Sequence, residues 1–200
     1  MKLVLASGSP RRRELLSELN YDYSVFTAGF DESTVKFESP SEGVMLLAEG
    51  KARAAMDTYE GDRSETLFLG SDTVVTIDGK ILGKPGSPEE AKEMLESLSG
   101  RTHRVYTGVS LVTEKGSENF FSCTSVTFRT LTEEEIIEYV RSGEPMDKAG
   151  AYGIQGLGKL LVEKIYGDYY TVVGLPVAAV YEHLKKYHIY PFFKQYDVEV

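Results

Sequence analysis

The stretch TLFLGSDTVVTIDGKILGKP, residues 66–85, decides the fold. Its first half is an apolar, β-branched run long enough to cross a whole sheet, and Asp78-Gly79 is a two-residue hairpin signal, so KILGKP returns antiparallel to it. With Asp78 and Gly79 in the turn, Ile77 faces Lys80, Val75 faces Leu82 and Thr73 faces Lys84. Asp72 lies inside the apolar run, where an ionised carboxylate away from water is costly without a cation or hydrogen-bond donors. The register places Lys84 close to it.

Outward from this hairpin the elements alternate. Upstream, a strand over 2–6 leads into a helix over 10–19, YSVFTA is strand-like, and VMLLAEGKARAAM continues a helix opened by Pro40. Downstream, a helix spans about 88–98, HRVYTGVSLVT and NFFSCTSVTFRT form a second hairpin around Lys115-Gly116, and an acidic helix starts at Glu133. The last third reads as a glycine-rich loop, DKAGAYGIQG, then KLLVEKI and YYTVVG as strands, then a helix from Pro176. This is α/β with a mixed, largely antiparallel sheet.

One helix start breaks a rule the others keep. SPSE (39–42), SPEE (87–90) and TEEE (132–135) each put an acid at the third helical position, the pattern of a capping box. LASGSPRRRELL, residues 5–16, places Ser9-Pro10 at the helix start and then fills the first turn with Arg11, Arg12 and Arg13. Each cation there opposes the positive end of the helix dipole at a cost of roughly 0.3–1 kcal/mol. The pattern points to a bound phosphate; the competing reading is a solvated face with Arg11 paired to Glu14. At about 100° per residue Arg12 falls on the stripe of Leu15, Leu16 and Leu19, toward the buried side.

Composition narrows the function classes. A net charge of −9 over 200 residues argues against a nucleic-acid or membrane-surface binder, so any anion is bound locally. One cysteine, Cys123, rules out an internal disulfide or a Cys-based zinc site, and its place in a strand-like run predicts a buried thiol. Three scattered histidines make no metal cluster, and the absence of a leader or long apolar run predicts a soluble, cytoplasmic protein. No Walker A or Rossmann fingerprint is present.

Further polar residues stand out. Lys51 falls on the helical stripe of Val44, Leu47, Ala48 and Ala55, where it either snorkels to water or meets an anion. Asp31 and Glu32, taken with Asp72, offer hard oxygen ligands suited to Mg²⁺ or Mn²⁺. DKAGAYGIQG supplies flexible backbone, the Tyr152 ring and the Gln155 amide, whose donor and acceptor match a base edge.

With ASGSPRRRELL, DE at 31–32, EGKA, GSDTVV, GKP, DKAGAYGIQG and VVGLP in this order, the chain resembles the Maf family from about residue 2 to 185. The resemblance implies an inosine-triphosphatase-like fold, an elongated curved mixed sheet flanked by helices, in a single domain over 1–200 with two lobes around a central cleft. It implies a nucleoside triphosphate pyrophosphatase that uses a divalent metal cation and releases a monophosphate and pyrophosphate. Carried over by motif, Ser7, Arg11, Arg12, Glu32, Lys51, Asp72 and Lys84 resemble its catalytic and phosphate-handling set, with Asp72 the usual proton acceptor; the hard oxygens of Glu32 and Asp72 are the expected metal ligands. Arg11, Thr73 and Gln155 match the branch acting on dTTP and UTP. The implied partner is a small nucleoside triphosphate, with no nucleic acid or membrane, and a homodimer is compatible with the family. The tail after about 187 lies outside the resemblance. A regulator of septum formation that binds a nucleotide without cleaving it is the alternative, and pyrophosphate release separates the two.

Overall fold

The fold is described from a computed structural model over residues 1–191. A seven-stranded mixed sheet organises it, with strand order β2-β1-β3-β5-β6-β7 and β4 paired to β3. Strands β1 (Lys2–Leu5), β2 (Tyr23–Val25) and β3 (Thr66–Ile77) are parallel neighbours. Strands β4 (Lys80–Leu82), β5 (Thr102–Thr113), β6 (Gly116–Phe128) and β7 (Val162–Tyr166) join antiparallel.

The long strand β3 sends alternate side chains to two faces, as its period of two requires. Leu67 and Leu69 pack with Leu3, Leu5, Leu15 and Leu16 beneath α1 (Pro10–Glu18), and Val75 packs with Leu95 and Leu98 of α3 (Pro88–Leu98). Phe68 takes the opposite face with Ala52 and Ala55 of α2 (Pro40–Thr58). Helix α2 sits directly on the sheet because two strand residues lack a side chain: a Cβ on Gly70 would lie 2.1 Å from the Ala48 carbonyl oxygen, and one on Gly108 would lie 2.3 Å from that of Val44.

One gap in the sheet creates the cleft. Along this edge of β3, β1 covers Thr66–Leu69 and β4 covers Val75–Ile77, so residues 70–74 have no strand neighbour there among the described residues. Asp72 and Thr73 lie in this gap. The predicted hairpin register holds for Ile77↔Lys80 and Val75↔Leu82, with Asp78 and Gly79 both at positive φ (51° and 74°) as the turn demands. It stops short of Lys84: β4 ends at Leu82, so the expected Thr73–Lys84 pair does not form.

Other expectations need correction. YYTVVG is helical, α5 (Tyr169–Val173), because the Asp168 carboxylate accepts the Tyr170 and Thr171 N–H groups and Gly174 (φ 119°) closes the turn, which outweighs the β-branched composition. KLLVEKI is extended only from Val162, its first residues closing a 3₁₀ segment, Gly156–Leu160. The second hairpin turns at residues 114–115, since Thr113 already pairs with Gly116. Cys123 is exposed, because the even-numbered residues Thr124, Val126 and Phe128 of β6 take the buried side. Only Thr132 and Glu135, at the start of α4 (Glu133–Arg141), form a complete capping box. Ser39 and Ser87 cap as expected, but Glu42 and Glu90 reach back to the N–H groups of Glu38 and Gly86. A last helix, α6 (Val177–Leu184), packs Val180 and Leu184 onto the β1 side. The tail after about 187 lies outside the described residues from 192 onward.

Candidate active site

A cleft of about 630 Å³ opens over the gap in β3, and Ser7, Arg11, Arg12, Glu32, Lys51, Asp72, Thr73, Lys84 and Gln155 all line it. Elements from the whole chain bring them there. Ser7, Arg11 and Arg12 come from the β1–α1 junction, Glu32 from a short 3₁₀ turn capped by Asp31, Lys51 from α2, and Gln155 from the glycine-rich loop.

Arg12 is the most constrained of them. It is only 9% exposed. Its Nε donates to the Gly174 carbonyl at 2.7 Å, Nη1 to Ser7 Oγ at 3.0 Å and Nη2 to Thr73 Oγ1 at 3.1 Å. None of these acceptors carries a charge, so a buried guanidinium sits at a helix N-terminus without a contacting carboxylate among the described residues. Burial pushes its pKa down to about 10; Asp72 opposes that shift, Arg11 adds to it and Glu32 opposes it, and the group stays charged at neutral pH. Ser9 makes no side-chain cap; its own N–H is instead 3.3 Å from Ser7 Oγ.

Arg11 pairs with Asp147 at 3.2 Å rather than with Glu14. Lys51 meets anions: its Nζ lies 2.6 Å from Asp72 Oδ1 and 3.0 Å from Glu32 Oε1. Asp31 turns its carboxylate to the Ser33 N–H and hydroxyl, both of which hold its pKa low, and takes no part in this cluster. Among the described residues no three His, Cys, Asp or Glu side chains stand close enough to hold a metal by themselves. Two carboxylates converging on one ammonium suit Mg²⁺ or Mn²⁺, which take one or two carboxylates and complete their shell with water and phosphate oxygens.

The glycine-rich loop is fastened from behind. Glu144 Oε1 and Oε2 accept the Gly158 and Leu157 N–H groups at 3.0 and 2.9 Å, and Tyr139 donates to Glu144 at 2.9 Å. Burial raises the Glu144 pKa, but these bonds and nearby Lys148 more than reverse it, so the carboxylate stays ionised. Tyr152 sits at the cleft wall with its hydroxyl 2.7 Å from Nε2 of His103, a histidine that burial keeps neutral.

Sequence reasoning missed Asp147 and Lys148, which also line the cleft and bond each other at 2.7 Å. Their signal was present as the charged pair opening DKAGAYGIQG. With them the cleft carries five cations (Arg11, Arg12, Lys51, Lys84, Lys148) against three acids (Glu32, Asp72, Asp147), a balance of +2 in a chain of −9.

A family profile described as Maf-like protein matches residues 2–187. The dTTP/UTP pyrophosphatase of Bacillus cytotoxicus is 50% identical over 186 residues, covering 93% of this chain and 95% of that protein. The dTTP/UTP pyrophosphatase of Bacillus cereus strain G9842 is 49% identical over 188 residues, covering 94% and 96%. Among solved structures, the Staphylococcus aureus Ham1 protein is similar over 79% of this chain and 78% of its own, at 16% identity and a TM-score of 0.47.

Proposed function

The chain belongs to the Maf family, and from that premise we propose that it is a dTTP/UTP pyrophosphatase, hydrolysing each nucleotide to its monophosphate and pyrophosphate. The observation that carries this reading is the Arg12 guanidinium, buried at the foot of the cleft with neutral hydrogen-bond partners only. A triphosphate supplies the missing negative charge.

In this reading Arg11 and Arg12 grip the triphosphate, together with the N–H groups at the start of α1. Water adds to the α-phosphorus and the bond from that phosphorus to the bridging oxygen breaks. Lys51 and Lys84 neutralise the departing pyrophosphate, since phosphoryl transfer needs positioning and charge stabilisation more than covalent help. Asp72, held by Lys51 at 2.6 Å, orients the attacking water and takes its proton. Glu32 and Asp72 are the residues that would hold a divalent cation, and when bound it would neutralise phosphate oxygens. Thr73 and Gln155 set the pyrimidine preference. The two sides of the cleft act as lobes of one catalytic domain, with a small nucleotide as partner rather than nucleic acid or membrane. The protein is proposed to work in the cytoplasm; no helix among the described residues is long and apolar enough to cross a bilayer.

The test is a screen of nucleoside triphosphates with Mg²⁺ and with Mn²⁺, measuring pyrophosphate release. Preferential hydrolysis of dTTP and UTP is expected. Binding without pyrophosphate release would make the protein a nucleotide-binding regulator, and equal rates on all nucleotides would remove the pyrimidine assignment.

A further inference from the structure

Behind Arg12 runs a chain of hydroxyl groups that crosses two strands of the sheet and ends on the backbone of α5. Arg12 Nη2 donates to Thr73 Oγ1 at 3.1 Å, Thr73 Oγ1 lies 2.9 Å from Thr107 Oγ1, and Thr107 Oγ1 donates to the Thr171 carbonyl at 2.7 Å. Its direction follows from the chemistry of its ends. Arginine only donates and a carbonyl only accepts, so the Thr107 proton goes to Thr171 and the Thr73 proton to Thr107. That leaves a Thr73 lone pair facing the guanidinium. Thr73 and Thr107 are direct cross-strand partners of β3 and β5, Thr107 and Thr171 are fully buried, and Thr171 stands in the helix that Asp168 caps.

We propose that Thr107, acting through Thr73, is a positioning residue that sets the Arg12 guanidinium for a polyphosphate ligand. The proposal rests on Arg12 being the phosphate grip of the function proposed above. A guanidinium has five N–H donors, and bonds to Gly174, Ser7 and Thr73 engage three, leaving one on each terminal nitrogen for phosphate. Three anchors on three separate segments fix the plane of the group before ligand arrives, so less ordering is required on binding. The chain also changes the meaning of Thr73. Its only proton is spent on Thr107, so Thr73 serves the pyrimidine preference proposed above as an acceptor or through Arg12, not as a donor to a base.

The experiment compares Thr107→Val, which keeps shape and removes the hydroxyl, with Thr107→Ser, which restores it, alongside Thr73→Val and the T73V/T107V double variant. Two readouts are taken on the full chain: KM and kcat for dTTP and UTP, and the Kd of inorganic tripolyphosphate by calorimetry. T107V is expected to raise KM and Kd about tenfold, with kcat changed less than threefold, and T107S to return both to within twofold of wild type. The double variant is expected to bind no more weakly than T73V, because both changes cut one chain. Wild-type Kd and KM in folded T107V, or losses that multiply in the double variant, would overturn the proposal. If T107V does not fold, T73V carries the same comparison: an unchanged tripolyphosphate Kd rejects the relay. Wild type that binds tripolyphosphate but hydrolyses no nucleotide would defeat the functional reading instead, and the Kd comparison still decides the relay.

Discussion

Acid should destabilise this protein through one histidine, and by an amount the structure allows to be worked out. His103 is 2% exposed in β5, edge-on to Phe128 and Tyr152 with ring centroids 5.0 and 5.3 Å away. Its Nε2 lies 2.7 Å from the Tyr152 hydroxyl and its Nδ1 has no partner among the described residues. Burial lowers its pKa from 6.5 to about 4. The unfolded chain therefore binds a proton between these values that the folded chain refuses. Stability from this group is complete above pH 6.5 and is lost as pH falls toward 4, by about 2 kcal/mol at pH 5 and about 3 kcal/mol at pH 4. Carboxylates held at low pKa, such as Glu118 and Glu144, add their own acid loss, so the readout must be a difference. Urea unfolding of wild type and His103→Gln from pH 7 to pH 5 provides it, because glutamine can still donate to Tyr152 but does not titrate. The variant is expected to be less stable at pH 7, with the gap shrinking by about 2 kcal/mol at pH 5. Parallel stability curves would refute the reasoning.

Two further perturbations bear on the site and its frame. Asp72→Asn should lower turnover by about a thousandfold or more, while circular dichroism and tripolyphosphate affinity stay near wild type; an active variant removes Asp72 from the chemistry. Gly108→Ala drives a Cβ to within 2.3 Å of the Val44 carbonyl and should cost about 3 kcal/mol, a fall of roughly 6–12 °C in melting temperature. Gly29→Ala, where a Cβ meets nothing within 4 Å, is the control, and an equal shift in both would dismiss the close approach of α2.

What could be read before the structure was what short-range geometry controls. Asp78-Gly79 predicted the β3–β4 register because only a two-residue turn at positive φ joins those strands. The helical wheel placed Arg12 on the buried side because nine residues of α1 keep a regular period. The partners of Arg12 were not legible: Thr73 and Gly174 are 61 and 162 residues away, and no local pattern encodes such pairings. YYTVVG failed differently, since its β-branched residues carry strand propensity but Asp168 and Gly174 close a short helix around them. Cys123 was misplaced because apolar residues occupy both parities of NFFSCTSVTFRT, and the pattern alone does not say which parity the core takes.

The arginines at the start of α1 show how an unfavourable local choice is tolerated. The helix dipole resists them, and the protein answers with partners from elsewhere: Asp147 for Arg11, and Gly174, Ser7 and Thr73 for Arg12. That answer is incomplete by one charge, because the partners of Arg12 are all neutral. The two nearest acids do not complete it either, since Asp72 and Glu32 are both engaged by Lys51. Positive charge therefore accumulates in the cleft, +2 among its lining side chains in a chain that carries −9 overall. An anion that enters the cleft meets a guanidinium held in place by three hydrogen bonds that engage three of its five donors.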